Sequence, residues 1–170
     1  YADSSTVRYT YNERGDRTSM QDSTGTTLYL YDPANRLRRL IQPTGELIDY
    51  NYDDASNLTE MIYGGVTVKY TYDAASRLIE VREVRSGQSD KVTGYTYNEA
   101  GDLTSKTLPN NVRTRYEYDS AGRLTAVIHE KVNSDGTANH VASYSYTLDA
   151  AGNRTQMVER KGSGPSETTR

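Results

Sequence analysis

The side chains best suited to chemistry in this sequence are two histidines, His129 and His140, which lie on either side of Asp135. Imidazole and carboxylate groups bind zinc, but these three residues lack the short spacings that zinc sites use. The segment NSDG at 133–136 offers the oxygens of a calcium loop, yet the alternating Asp and Asn run and the distal Glu are missing. We therefore expect exposed loop residues here, with neither a metal site nor a cofactor.

Catalytic motifs are also missing. The chain contains many Ser and Asp residues, but it has no G-x-S-x-G nucleophile elbow and no Gly-rich phosphate loop. Asp and Arg could be read as catalytic pairs where they lie four residues apart, but a pair that recurs along the chain is typical of a structural device. The pairs are Asp32 with Arg36, Asp73 with Arg77 and Asp119 with Arg123. We predict that the protein is not an enzyme.

The composition limits the fold and the partners. Only 34% of the residues are hydrophobic, which is below the usual content of a globular domain and argues against a large core. The net charge of −3 and the sixteen tyrosines argue against disorder, because disordered chains are poor in aromatic residues. Lys and Arg are scattered among Asp and Glu, so we expect no nucleic-acid partner. We also expect no membrane span and no signal peptide in this fragment.

A tandem repeat explains where the tyrosines lie. The third position of each unit falls at residue 11, 31, 52, 72, 97, 118 or 148, which gives spacings of 20, 21, 20, 25, 21 and 30 residues. Six of these anchors are Tyr, and the seventh is Leu148. The units are YTYNERGDRT (9–18), YLYDPANRLR (29–38), YNYDDASNLT (50–59), YTYDAASRLI (70–79), YTYNEAGDLT (95–104), YEYDSAGRLT (116–125) and YTLDAAGNRT (146–155). A single module therefore repeats along nearly the whole chain.

Each unit is predicted to form a β-hairpin. In Tyr-x-Tyr both rings point to the same face of a strand, because side chains alternate with period two. The next residues suit a type I turn followed by a left-handed residue, a place taken by Gly101, Gly122 and Gly152 and filled less suitably by Ser56 and Ser76. This register pairs the turn-opening Asp with Arg and the preceding Tyr with Leu. The expected structural set comprises the anchors Tyr11, Tyr31, Tyr52, Tyr72, Tyr97 and Tyr118, the three Asp–Arg pairs and these three glycines.

A second set of turn signals separates the units. It comprises DSTG (22–25), QPTG (42–45), YGG (63–65), RSGQ (85–88), LPNN (108–111) and NSDG (133–136). A turn therefore comes about every ten residues, with β-forming residues between. The predicted fold is all-β, with tandem antiparallel hairpins in a curved, solenoid-like sheet of about 14 strands and almost no helix. The repeat array is expected over 1–160, and 161–170 is expected to be a polar, disordered tail or linker.

The motif Y-x-Y-D-x-x-G-R-L-T, best seen in YEYDSAGRLT (116–125), resembles the YD repeat of the Rhs family, which also occurs in Tc toxin subunits and teneurins. The resemblance covers residues 9 to about 157. It implies hairpins that follow one another in a spiral sheet, which wraps into a hollow shell around a toxin or another C-terminal segment. The DPxG-type motif at the family's core end is not matched, because Asp32-Pro33 lies in a repeat turn and is followed by Ala-Asn.

The resemblance leads to two functional hypotheses. In the first, the segment is part of a shell wall that encapsulates a polypeptide, a C-terminal toxin, before delivery; its partners are neighbouring repeats of a larger chain and the enclosed toxin. In the second, it is an extracellular adhesion module whose tyrosines bind a glycan. Edge-to-edge self-association, head to tail, is a further expectation. Both hypotheses place the protein outside the cell or at its surface, in the context of a bacterial toxin or effector.

Overall fold

The computed structural model describes residues 6–162 and 167–169, and these residues form fifteen strands and no helix. The chain divides into two compact units, one comprising Tyr1–Arg77 and Val81–Asp90 and the other Leu78–Glu80 and Lys91–Arg170. Strand β8 contributes residues to both units. The prediction of an all-β fold of antiparallel hairpins is confirmed.

In the first unit the first seven strands pair antiparallel, each with the next strand along the chain. The strands are β1 (Arg8–Tyr11), β2 (Arg17–Asp22), β3 (Gly25–Tyr31), β4 (Leu37–Ile41), β5 (Leu47–Tyr52), β6 (Leu58–Tyr63), β7 (Val66–Tyr72) and part of β8 (Leu78–Arg85). Every Tyr-x-Tyr motif of this unit ends a strand, so its rings lie next to a hairpin turn.

In the second unit the last seven strands pair antiparallel in the same way, each with the next strand along the chain. Its strands are β9 (Lys91–Tyr97), β10 (Leu103–Thr107), β11 (Val112–Tyr118), β12 (Leu124–Val132), β13 (Ala138–Leu148), β14 (Arg154–Lys161) and β15 (Glu167–Thr169), together with the start of β8. Strands β12 and β13, with 9 and 11 residues, form the hairpin that accommodates the longest connection between anchors.

The turns within the motif use a left-handed residue before the second strand begins. In the turn after Tyr31, the amide of Asp32 donates to the carbonyl of Arg36 at 2.9 Å and the amide of Asn35 donates to the carbonyl of Asp32 at 2.9 Å. Asn35 has a φ of 64°. Ser56 and Ser76 adopt φ of 67° and 58° in the same place, although a serine is less suited to this conformation than a glycine. Turn hydrogen bonds therefore outweigh the side-chain preference.

Little of the structure is buried. The buried apolar residues among those described are Val66, Val68 and Ala126, which are 3, 8 and 7% exposed. A sheet that is not covered by a second layer leaves both faces partly accessible, so most rings and aliphatic chains are half-buried. The low hydrophobic content of the sequence is consistent with this arrangement.

The end of the chain differs from the expected disordered tail. Residues Glu167–Thr169 form β15, which pairs antiparallel with β14 by placing Thr168 opposite Val158. The outer edge of β14 presents free backbone donors and acceptors, and an extended segment can satisfy them whatever its side chains are. Residues 163–166 and 170 of the expected tail lie outside the described residues.

Candidate functional site: the row of Tyr-x-Tyr hairpins

The second tyrosine of the motif packs across its own hairpin against a leucine. A β-bulge follows the turn in each case and sets the register. The cross-strand pairs are Tyr31 with Leu37, Tyr52 with Leu58, Tyr97 with Leu103 and Tyr118 with Leu124. In the first hairpin Arg17 takes the place of leucine opposite Tyr11. Pairs of an aromatic and an aliphatic residue stabilise a hairpin by roughly 0.2–1 kcal/mol each.

An aspartate holds the turn closed. In the hairpin of Asp32, one carboxylate oxygen accepts from the backbone amide of Arg36 at 2.9 Å, and the other accepts from its Nε at 2.8 Å. The pair Asp73–Arg77 repeats this geometry at 3.0 and 2.7 Å. The pair Asp119–Arg123 also repeats it, at 3.0 and 2.7 Å.

These contacts indicate that the aspartates have a structural role. The backbone amide of the arginine, aided by its guanidinium, lowers the pKa of Asp32, Asp73 and Asp119 below the ordinary value. A carboxylate that stays ionised and accepts several hydrogen bonds is poorly suited to act as a general acid. The geometry therefore favours turn closure over catalysis at the three pairs.

The hydroxyl of the second tyrosine makes a contact that the repeat motif does not predict. It donates to a backbone carbonyl at the start of the second strand of the preceding hairpin. The bonds are Tyr31 to Arg17 (2.8 Å), Tyr52 to Leu37 (2.9 Å), Tyr72 to Leu58 (3.0 Å), Tyr97 to Leu78 (2.9 Å) and Tyr118 to Leu103 (3.0 Å). We call these bonds the hydroxyl links. The only signal for them in the sequence is that six of the seven units have Tyr, and none has Phe, at this position.

Burial of the linking tyrosines has an electrostatic consequence. It raises the pKa of Tyr31, Tyr52, Tyr72 and Tyr118, because the phenolate loses solvation. The neutral hydroxyl, which can donate the link, is therefore the favoured form in the folded chain. A phenylalanine could fill the same space, but it would leave the carbonyl without this donor.

A second type of link runs forward from one turn to the next. The Nη1 atom of Arg36 donates to the carbonyl of Asp53 at 2.9 Å and to the Oγ atom of Ser56 at 3.1 Å. The Nη1 atom of Arg123 donates to the carbonyl of Asp149 at 3.0 Å. The guanidinium of Arg36 also lies 4.7 Å from the centre of the Tyr52 ring, within cation–π range. One arginine therefore closes its own turn and contacts the next one.

Amide side chains also join neighbouring turns. Asn57 donates to the Oγ atom of Ser76 at 3.2 Å. Asn35 donates backward, to Asp16 of the first turn, at 2.9 Å.

The glycines of the predicted set, Gly101, Gly122 and Gly152, have φ of 92°, 73° and 86° and supply the left-handed residue of their turns.

The histidines are not brought together by the fold. The Nδ1 atom of His129 lies 3.0 Å from the hydroxyl of Thr114, whereas that of His140 lies 3.2 Å from the carbonyl of Gly162. The carboxylate of Asp135 accepts from Thr137 within its turn. Among residues 6–162, no group of three His, Asp or Glu side chains is arranged to hold a metal ion.

The described part of the chain contains no helix long and apolar enough to cross a membrane.

Comparison with known proteins identifies the repeat. Residues 31–65 and 97–138 match the family model described as RHS Repeat. No curated protein matches the chain at a significant level. The fold is similar to the crystal structure of TcdB2-TccC3, with a TM-score of 0.79, 20% identity, and coverage of 96% of this chain and 10% of that chain. A structure of the Photorhabdus luminescens Tc holotoxin pore gives a TM-score of 0.77 at 19% identity, over 95% of this chain and 9% of the other.

The chain thus spans about a tenth of the length of the chains that it matches. The matched segments 31–65 and 97–138 contain the hairpins closed by Asp32 and Asp119. These segments are therefore Rhs repeats, and the recognition of the Rhs and YD-repeat family from the hairpin motif is confirmed.

Proposed function

We propose that this chain is a section of the wall of a hollow β-shell that encloses a polypeptide, a C-terminal toxin, until it is delivered. The observation that carries the proposal is the pair of links between consecutive hairpins, namely the tyrosine hydroxyl to the preceding strand and the arginine to the following turn. Such links connect many hairpins to their neighbours without a thick hydrophobic core. A shell wall that is one sheet thick has no such core, so it needs contacts of this kind between its hairpins.

The relatives support the same role. The chain matches about a tenth of a much longer chain, as expected of a section of a larger assembly. One related structure is described as TcdB2-TccC3 without its hypervariable C-terminal region, so that protein has a variable C-terminal segment. By this proposal the role is non-catalytic, and the protein acts outside the cell or at its surface.

Limited proteolysis of the native gene product that carries these residues tests the proposal. If the repeats enclose the C-terminal region, that region resists protease while the shell is intact. It becomes sensitive when destabilising substitutions in the links, such as Tyr52→Ala with Tyr118→Ala, open the wall. Digestion of the C-terminal region at the rate of an unfolded chain, with the repeats still intact, would contradict enclosure.

Adhesion to a glycan is the alternative, and it depends on accessible rings. Tyr9 and Tyr11, on β1, are 44 and 57% exposed, but Arg17 already lies 4.6 Å from the ring centre of Tyr9. The hydroxyls of the later anchors are used in the hydroxyl links. A glycan array probed with the purified chain distinguishes the two functions, since enclosure predicts no binding that depends on Tyr9 or Tyr11. Head-to-tail self-association remains a prediction that light scattering can test.

A further inference from the structure

The face of the sheet opposite the anchor tyrosines is unusually apolar in the first unit. Because side chains alternate along a strand, Leu28 and Leu30 point away from Tyr29 and Tyr31. Leu47 and Ile62 lie on the same opposite face. These four aliphatic side chains are 41, 37, 41 and 36% exposed. Single exposed leucines are common on protein surfaces, but a contiguous group marks a surface that contacts something else.

The strand register makes the group contiguous. Leu28 on β3 lies opposite Ile41 on β4, and Ile41 lies opposite Leu47 on β5. Two residues further along β5, Asp49 lies opposite Ile62 on β6, so the Arg39–Asp49 pair lies between Leu30 and Ile62 on this face. Neighbouring strands are about 4.8 Å apart, so the apolar row crosses four strands over roughly 15 Å. We call Leu28, Leu30, Ile41, Leu47 and Ile62 the leucine row.

A positive charge lies beside the row. Arg39 is paired with Asp49, with 2.8 Å between Nη2 and Oδ2. Arg38 is exposed and, among the described residues, is in no direct ion pair, but its charge adds to that of Arg39 in lowering the pKa of Asp49, so two guanidinium groups share one carboxylate here. Arg38 and Ile62 line the same depression, which has a volume of about 260 Å³. An apolar wall and an excess of positive charge therefore meet at one place on this face.

The second unit lacks this surface. On the corresponding face, the hydroxyl of Thr96 lies 2.8 Å from that of Ser105. Glu130 accepts from Arg113 at 2.8 Å and from Arg115 at 3.3 Å. Hydroxyls and paired charges take up much of this face, whereas the first unit has exposed leucines. The leucine row is therefore a local property of this sequence and not a consequence of the repeat.

We propose that the leucine row binds an extended, apolar segment of the enclosed polypeptide, with a carboxylate of that segment beside Arg38. This assignment rests on the proposed function, and it makes the face opposite the tyrosines the one that meets the cargo. An extended segment suits the surface, because the row is narrow and an extended chain presents every second side chain to it. The excess of one positive charge, with Arg38 and Arg39 beside the single carboxylate of Asp49, favours an acidic residue at one end of the segment.

Fluorescence anisotropy with the purified chain tests the proposal. The probe is a short fluorescein-labelled peptide of alternating leucine and serine that ends in two glutamates; its twin ends in two lysines. The triple variant Leu28→Thr, Leu47→Thr, Ile62→Thr should bind the acidic peptide at least about tenfold more weakly, since tenfold corresponds to about 1.4 kcal/mol. Val141→Thr, which changes a 48% exposed valine of the second unit, is the matched control and should bind as the unaltered chain does.

A separate variant, which removes no apolar group, tests the role proposed for the charge of Arg38. Arg38→Gln should abolish the preference for the acidic over the lysine-ended peptide, whereas Arg14→Gln, in an exposed turn, should preserve it. Equal binding by the unaltered chain and the triple variant would overturn the proposal. A dimer of the unaltered chain that disappears in the triple variant, seen by light scattering, would also overturn it by assigning the row to self-association.

Failure here is distinguishable from failure of enclosure. If no peptide binds the row but the C-terminal region of the native gene product still resists protease, the cargo assignment is wrong and the wall function stands.

Discussion

The hairpins closed after Tyr52 and after Leu148 occupy equivalent positions in the repeat, yet they are linked differently. Tyr52 donates to the carbonyl of Leu37, and Arg36 reaches the following turn at Asp53. Leu148 has no hydroxyl, so its hairpin keeps only the forward link, from Arg123 to the carbonyl of Asp149. The comparison shows that the two links are separable. One depends on a tyrosine and the other on an arginine of the neighbouring hairpin.

In the hairpin that follows Leu148, the first tyrosine of the motif, Tyr146, contacts an arginine of the same hairpin. The guanidinium of Arg154 lies 3.7 Å from the ring centre of Tyr146, on the hairpin that ends in Leu148. Stacking of this kind stabilises an exposed pair by roughly 0.5–1 kcal/mol. The arginine that stacks on a tyrosine thus comes from the same hairpin at 148, whereas at 52 it comes from the neighbouring hairpin, as Arg36 over Tyr52.

Removal of the ring should have the largest effect. Tyr52→Ala deletes a half-buried aromatic group together with its hydroxyl link, and it should lower the free energy of unfolding by about 3 kcal/mol. Urea unfolding followed by circular dichroism measures the change. Leu148→Ala is the matched control and should cost less, because no link is lost. Equal losses at the two positions would contradict the comparison.

Removal of the hydroxyl alone should have an intermediate effect. Tyr52→Phe keeps the ring but leaves the carbonyl of Leu37 without its donor, so we expect a loss of about 1 kcal/mol. Tyr50→Phe changes a tyrosine on the same strand whose hydroxyl has no hydrogen-bond partner among the described residues, and its effect should be within about 0.5 kcal/mol. The same urea titration compares the two variants, and a larger loss for Tyr50→Phe would refute the role of the link.

Addition of the missing hydroxyl should give a smaller gain. Continuing the register from Ser145 opposite Ala126 brings position 148 beside Leu124, as continuing it from Arg115 opposite Ser105 brings Tyr118 beside Leu103. Leu148→Tyr should therefore form a sixth hydroxyl link and raise the free energy of unfolding by roughly 0.5–1 kcal/mol. Leu148→Phe supplies a ring without a donor and separates packing from hydrogen bonding. A gain of the same size in both variants would show that the hydroxyl contributes nothing.

The smallest effects should appear as dependence on pH. The pKa values of Asp32, Asp73 and Asp119 are lowered, so these groups stabilise the fold above their unfolded pKa and lose that contribution as pH falls through the folded pKa. The pKa of Tyr52 is raised, so its contribution is present below about pH 10, the unfolded value, and is lost as pH rises through the folded pKa.

Melting temperatures of the unaltered chain and of Tyr52→Phe, measured from acid to alkaline pH, test the predicted loss of stability at low pH and at high pH. The difference between the two proteins should persist in acid, where the tyrosine stays neutral, and should shrink above about pH 10. Asp32→Asn should flatten the loss of stability at low pH. A difference between the unaltered chain and Tyr52→Phe that grows in alkali would contradict the hydroxyl link.

The sequence predicts the interior of each hairpin well, because those contacts are local. The bonds of Asp32 with Arg36 join residues 4 apart, and the conformation of a single turn decides them. Ser56 and Ser76 show the limit of this reasoning. Their side chains argue against a left-handed conformation, but the turn hydrogen bonds on either side impose it.

The contacts between hairpins are harder to predict. The hydroxyl links join residues 14 to 19 apart, and their lengths stay at 2.8 to 3.0 Å although the connecting hairpins differ in size. No local rule identifies the carbonyl that accepts each hydroxyl, since it depends on how strands from two repeats lie side by side. Tyrosine in place of phenylalanine signals a polar partner without naming it.

By itself, then, the order of residues determines a repeating β-hairpin, its closing Asp–Arg pair and its Tyr–Leu partners. Each of these follows from turn geometry and from the two-residue alternation of a strand. The tertiary structure alone decides which carbonyl each tyrosine reaches, which turn each arginine contacts, and that the exposed leucines of the first unit form one row. These contacts depend on the register between strands, because strand pairing brings together residues that are far apart in the chain.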